Sequence, residues 1–324
     1  MMKMTKMMNK ITCMRWKAFT CVVLLELLLV PVVSALVPAT TTASKKIIFV
    51  SIIPLKYFVD RIISAKEVEV ITMVEPGQGP ETYTPTPEKM QQLSQASLYL
   101  HLGLPFERVM MERIKKINPQ LKIVDVRNMG NVGDIEDEHK DEHKDGHKDG
   151  HKDEHEDEDD PHIWSSPRLM GKILPIIGVS IQNTLGKNVV NNSQQKLNNL
   201  QRELNNLDQE ISKLFAAFRS LQKKFLVFHP AWGYFAKDYQ LQQISIERHG
   251  KSPGPRDLEQ LAVLVRKNNI KTLFVTKQQI RKQAETWAKS LNIKKIVELD
   301  PLAYDYFENT RKITAAILSS FRER

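Results

Sequence analysis

The sequence predicts an α/β protein of two lobes, each a four-stranded, mostly parallel sheet flanked by helices, joined by a long linking helix with a cleft between the lobes. Three observations carry that expectation. Short β-branched runs alternate with amphipathic stretches of helical length in both halves of the chain. An acidic, histidine-rich repeat interrupts the alternation once. A chain of 324 residues with 41% hydrophobic content can also bury cores for two ordinary domains. Strands separated by helices of this length need right-handed crossovers, and these make parallel sheets.

Residues 1–35 stand apart from the fold. Lys3, Lys6, Lys10, Arg15 and Lys17 precede an apolar run from Ala18 to Val33, and Val33-Ser34-Ala35 offers a small-x-small cleavage pattern. This is the layout of a secretory signal peptide. As a membrane anchor the run is short, is broken by Glu26 and Pro31, and lacks a basic stop-transfer flank. Glu26 within the apolar run has no physical account. Cys13 and Cys21 are both in this segment, so the exported chain has no thiol for a disulfide or a thiolate metal site. Neither is placed as the lipid-modified cysteine of an anchored precursor would be. The expected product is soluble and periplasmic.

The first lobe, residues 46–133, reads as a strand over Ile47 to Ile53, a helix over Tyr57 to Ser64 and a strand over Val68 to Val74. A Gly/Pro-rich loop from Glu75 to Pro87 follows. A helix over Glu88 to Gln95, a strand over Leu98 to Leu102, a helix over Pro105 to Ile117 and a strand over Lys122 to Val126 complete it. Residues 134–160 contain the repeat DEHK, DEHK, DGHK, DGHK, DEH, with too little apolar surface to bury, and are expected to form an exposed, mobile loop. Residues 161–190 form the linking helix, with helical pattern from Ser166 to Gly186 and Pro175 expected to bend it. The second lobe, residues 191–324, begins with a helix over Asn191 to Gln222. Its strands fall at Phe225 to Phe228, Leu241 to Ile246, Thr272 to Val275 and Lys295 to Leu299. Its further helices fall at Pro255 to Lys267, Gln278 to Ser290 and Asp305 to Ser320.

Charge narrows the function. Loss of residues 1–35 removes five bases and one acid, taking the net charge from +9 to +5, while residues 134–160 contribute 15 acids and four lysines. The remaining body is basic, but its lysines are spread along the chain with no basic helix or basic-aromatic stripe. Nucleic acid is not an expected partner.

In sheets of this kind ligands bind beyond the carboxyl ends of strands, so polar residues just after strands are the candidates. Glu81 lies in the loop after the second strand, His229 ends FLVFH, Asp300 ends KIVELD, and His162 sits in DPHIW where the repeat rejoins the body. Two imidazoles and two carboxylates suit a divalent first-row ion. His101, in YLHLG, reads as a hydrogen-bonded structural residue and His249 as a surface one. Tyr83, Trp164 and Trp232 flank the candidates and are expected to wall the site.

Several phrases carry a resemblance. PGQGPETYTPTP resembles the PGxxPHxYxPTP segment of the zinc- and manganese-specific solute-binding proteins of bacterial ABC importers, and DPHIWSSP is similar to their DPHxWxSP. FHPAWGYFAKDYQLQQISIE, GKSPGPRDLEQLAVLVRKNNIKTLFV and ELDPLAYDYFEN resemble later segments, in the family's order and over nearly the whole exported chain. The resemblance implies metal ligands at Glu81, His162, His229 and Asp300, with Glu81 replacing the usual first histidine. It also implies zinc as the transported ion, with manganese and ferrous iron as alternatives, and a membrane permease as partner.

The histidines of the repeat, His139, His143, His147, His151 and His155, are expected to add weak auxiliary metal sites, as the family's insertion implies. The reading is therefore a monomeric, non-enzymatic metal carrier, since four protein ligands leave no open position for activated water. An adhesin or metal buffer of the same shape is the alternative. A hydrolase with Glu81 as general base finds no supporting HExxH pattern.

Overall fold

The computed structural model describes residues 45–63, 68–128, 160–186, 193–218, 223–247, 253–277 and 281–323. The expected signal segment, the five repeat histidines and His249 lie outside the described residues.

The first sheet is built from β1 (Lys46–Val50), β2 (Val68–Thr72), β3 (Leu98–His101) and β4 (Lys122–Asp125), in the order β2-β1-β3-β4. The second is built from β5 (Lys224–Val227), β6 (Gln242–Ser245), β7 (Thr272–Thr276) and β8 (Lys295–Leu299), in the order β6-β5-β7-β8. Every pairing in both is parallel. The two sheets are thus the two α/β lobes expected, and their central strands are apolar on both faces because helices cover both.

Helices α1 (Ile53–Ile62), α2 (Pro87–Leu93) and α3 (Pro105–Ile117) serve the first sheet. A 3-10 turn at Ile163–Ser165 leads into α4 (Pro167–Leu185) and α5 (Ser193–Ala217). Helices α6 (Gly233–Asp238), α7 (Pro255–Lys267), α8 (Arg281–Ser290) and α9 (Tyr306–Arg322) complete the second lobe. Two sequence boundaries need correction. β1 ends at Val50 rather than Ile53, and α1 begins at Ile53 rather than Tyr57. Pro54 explains both, because its fixed φ and missing N–H suit the first helical turn and cannot extend a central strand. The 3-10 turn and the six-residue α6 were not expected, being too short to show a helical period.

α4 runs through Pro175 as one helix, although the proline removes the bond that Gly171 would otherwise accept. It lies against α5, and at Gly178 a β-carbon would come within 2.4 Å of Leu197 Cδ1. α5 in turn touches both lobes. Arg61 of α1 grips Glu203 with two bonds of 2.8 Å, and Arg311 of α9 reaches Glu210. The sequence assigned α5 to the second lobe, but it braces the first as well.

The lobes share one core. Phe225 and Val227 of β5 belong to the cluster that contains β1 and β3, whereas Leu226 and Phe228 join a separate cluster under α7 and α8. This alternation is the period of two that a strand imposes. Aromatic contacts seal the joint: Phe58 meets Tyr306 with ring centroids 5.0 Å apart, and Tyr57 meets Tyr304 at 5.4 Å. Tyr304 also donates a 2.8 Å hydrogen bond to Asp60.

Within the first lobe, Glu107 has no solvent exposure. Its carboxyl group accepts from Ser51 Oγ at 2.5 Å, from Tyr99 Oη, and from the backbone N–H groups of Leu102 and Leu104 at 3.2 and 2.8 Å. The Leu104 bond closes the N-terminus of α3, as the glutamate of a capping box does, and the Leu102 bond ties that terminus to the end of β3.

Candidate metal centre

Three loops deliver three donors. Strand β5 stops at Val227, Phe228 still donates its N–H to Phe274, and His229 follows beyond the carboxyl edge. Continuing the register Val227↔Ser245 sets His229 level with Glu247, and His229 Nδ1 lies 3.1 Å from Glu247 Oε2. His162 precedes the 3-10 turn. Asp160 Oδ1 accepts its backbone N–H at 2.9 Å and lies 2.6 Å from its Nδ1. Glu81 comes from the turn-rich loop between β2 and α2, where Gly77 adopts φ +85° and Thr82 N–H bonds to the Gly79 carbonyl.

The donors converge. His162 Nε2 is 3.0 Å from Glu81 Oε1, His229 Nε2 is 3.2 Å from the same oxygen, and the two Nε2 atoms are 3.2 Å apart. Among the described residues these three form the one group of metal-competent side chains gathered at a common point. Each imidazole has its Nδ1 held by a carboxylate, Asp160 or Glu247. That fixes the tautomer whose Nε2 lone pair faces the common point.

Electrostatics follow from the packing. Burial opposes the charged form of Glu81, but hydrogen bonds and charge from His162 and His229 outweigh it and hold its carboxyl well below the usual carboxylate range. Burial likewise opposes protonation of the two histidines. For His162, Asp160 and Glu81 overcome that and raise it above an ordinary imidazole. For His229, Glu247 and Glu81 do the same and push it up to about 9. The surroundings are built to favour positive charge between the rings.

Asp300, the fourth expected ligand, is not one of the three convergent groups. It follows β8, where its Oδ1 accepts the Leu302 N–H at 2.9 Å and its Oδ2 lies 3.3 Å from Lys277 Nζ. Trp164 is buried beside His162, with ring centroids 4.9 Å apart, and donates its indole N–H to the Pro301 carbonyl at 3.0 Å. Tyr83 packs edge-on against Phe106, and Trp232 is buried at the start of α6. His101 Nδ1 accepts the Gly103 N–H at 3.2 Å, a structural use. Asp160 and Glu247 were not singled out in the sequence. Glu247 carries the same signal that marked His229, a polar residue one step past a strand. Asp160 was counted with the acidic repeat.

The match to known proteins is extensive. The family model of the zinc-uptake complex component A, a periplasmic protein, matches residues 48–320. The chain belongs to this family. A solved zinc-bound ZnuA deletion mutant is 30% identical, covers 85% of the chain and 98% of its own length, and superposes with a TM-score of 0.71. A Chlamydia muridarum protein named only as a candidate metal binder is 27% identical over 275 residues, 84% of this chain and 91% of its own. The periplasmic zinc-binding protein TroA of Treponema pallidum, 19% identical, shares the fold with a TM-score of 0.70 over 86% of this chain and 99% of its own. The family is one of solute-binding proteins and not of enzymes.

Proposed function

We propose that this chain captures one zinc ion outside the cytoplasm and delivers it to the permease of an ABC importer. The observation that carries the reading is the triangle of His162 Nε2, His229 Nε2 and Glu81 Oε1, with edges of 3.0, 3.2 and 3.2 Å. Donors around a tetrahedral zinc with bonds of 2.0–2.1 Å stand about 3.3 Å apart. The triangle is nearly one face of that tetrahedron. Imidazole donors disfavour magnesium and calcium, which take oxygen ligands.

Asp300 supplies the fourth corner in this reading, turning from Lys277 toward the ion. Its place at the carboxyl edge of the same sheet as His229 supports that role. Glu81 and Asp300 then offset the ion's charge, and Asp160 and Glu247 orient the rings. A site closed by four protein donors has no position for an activated water, so the carrier does no chemistry on its cargo. The repeat histidines add weaker sites, a role supported by five imidazoles on one stretch of chain.

The test is titration of the purified exported protein with zinc, manganese and ferrous iron, repeated after deletion of residues 134–159, which spares Asp160, and on Glu81→Ala. One tight zinc site that survives the deletion and weakens in Glu81→Ala is the expected result. Loss of tight binding on deletion would move the site to the repeat, and preferential manganese or iron binding would overturn zinc as cargo.

A further inference from the structure

At the carboxyl edge of the second sheet, the four strands present Glu247 after β6, His229 after β5, Lys277 after β7 and Asp300 after β8, in that spatial order. Two acids and an imidazole suit a cation site. A lysine between the imidazole and the second acid does not. The register Thr276↔Leu299 sets Lys277 level with Asp300, and the 3.3 Å contact between Nζ and Oδ2 makes them an ion pair. Their environments differ: the Lys277 side chain is 56% exposed, whereas that of Asp300 is 22% exposed and anchored through its other oxygen to the Leu302 N–H.

We propose that Lys277 is an internal competitor for the transported cation, its ammonium and the metal contending for the same Asp300 carboxylate. This rests on the reading of Asp300 as fourth ligand. An ammonium on a flexible, solvated stem can swing into water when a divalent ion takes the carboxylate, and can return when the ion leaves. The lysine therefore lowers affinity and offers Asp300 a ready partner on release, so unloading does not strand a half-buried carboxylate. A partly exposed pair of this kind sets the size of the effect at about two- to fivefold in affinity.

The test compares wild type, Lys277→Gln, Lys277→Arg, Asp300→Asn and the Lys277→Gln/Asp300→Asn double variant, each titrated with zinc against a chromophoric chelator. Lys277→Gln should bind zinc about two- to fivefold more tightly. Lys277→Arg should restore wild-type affinity, and the gain should vanish in the Asp300→Asn background. In the wild type, zinc should also increase acylation of Lys277 by a limiting amine-reactive ester, read by mass spectrometry. If Asp300→Asn leaves zinc affinity unchanged, Asp300 is not a ligand and the competition has no object. If Asp300→Asn weakens binding but Lys277→Gln changes nothing, the ligand stands and the competitor role falls. An equal gain from Lys277→Gln in both backgrounds, or acylation indifferent to zinc, would also overturn the competition.

Discussion

Glu81, His162 and His229 bind protons with the same atoms that would bind a cation, and this gives the site a definite pH signature. His229 is raised from 6.5 to about 9 by Glu247 and Glu81 against the opposing effect of burial. A raised histidine contributes stability that is complete below about 6.5 and is lost as pH climbs through about 9. Glu81 is depressed, so its contribution holds above its ordinary value and fades only in strong acid. The thermal midpoint of the metal-free protein should therefore fall between pH 6.5 and 9. Zinc must expel these protons, so its stabilising increment should grow over the same interval, with acid released into a weakly buffered sample at neutral pH. A midpoint flat across that window would show that His229 is not coupled to its acids. Glu247→Gln should lower zinc affinity about 10- to 100-fold, as loss of an orienting carboxylate does, and should lower the metal-free midpoint at neutral pH and flatten its fall toward pH 9. Calorimetric titration beside a melting curve separates the two effects. At this scale the three converging donors were legible because His229 ends an apolar strand run, and because Glu81 and His162 sit in PGQGPETYTPTP and DPHIWSSP, phrases that resemble the family's. The carboxylates behind the rings were not, since Glu247 becomes a partner of His229 only through the β5–β6 register. The Asp300–Lys277 pair was equally hidden, because it depends on two strands 19 residues apart.

Among the elements, β3 and α3 are joined through one buried carboxyl group, that of Glu107. Glu107→Ala would leave Tyr99 Oη and the Leu104 N–H without an acceptor in a fully buried setting, while the Leu102 N–H keeps Ser51 Oγ at 3.0 Å and Ser51 Oγ keeps the Leu100 carbonyl at 3.5 Å. Each unsatisfied group costs about 1–3 kcal/mol, so the substitution should lower unfolding free energy by at least about 2 kcal/mol. Denaturant melts of metal-free protein would show it, and a loss under about 1 kcal/mol would mean that water replaces the carboxyl group. The alternation of apolar strands with helices made both sheets readable, since buried parallel strands are continuous apolar runs such as Ile47 to Val50 and Thr272 to Val275. Thr86, Ser166 and Asp305 each cap a helix by accepting the backbone N–H of its third residue, as side-chain oxygens at those positions do. The 3-10 turn and α6 escaped because their order comes from packing beside the centre, which no periodicity records.

For the whole molecule, the continuous core decides how far the lobes can travel. Phe58, Tyr306 and Phe307 bridge the lobes through edge-on ring contacts, and α5 is bolted to both by Arg61–Glu203 and Arg311–Glu210. Opening the lobes like a hinge would expose this aromatic surface, at about 25 cal/mol for each Å² uncovered. Small-angle scattering should therefore give the same radius of gyration with and without zinc, and a contraction on loading would refute a rigid joint. If the frame stays still, cargo must enter and leave by rearrangement of the ligand-bearing loops. The Trp164–Pro301 bond bears on how those loops move. It stitches the turn beside His162 to the residue after Asp300, so a pull on either strap is felt at the other. With Asp300 as the fourth ligand proposed above, a transporter that displaced the segment after β8 would loosen two sides of the coordination shell in one stroke, and the ion would be shed all at once instead of ligand by ligand.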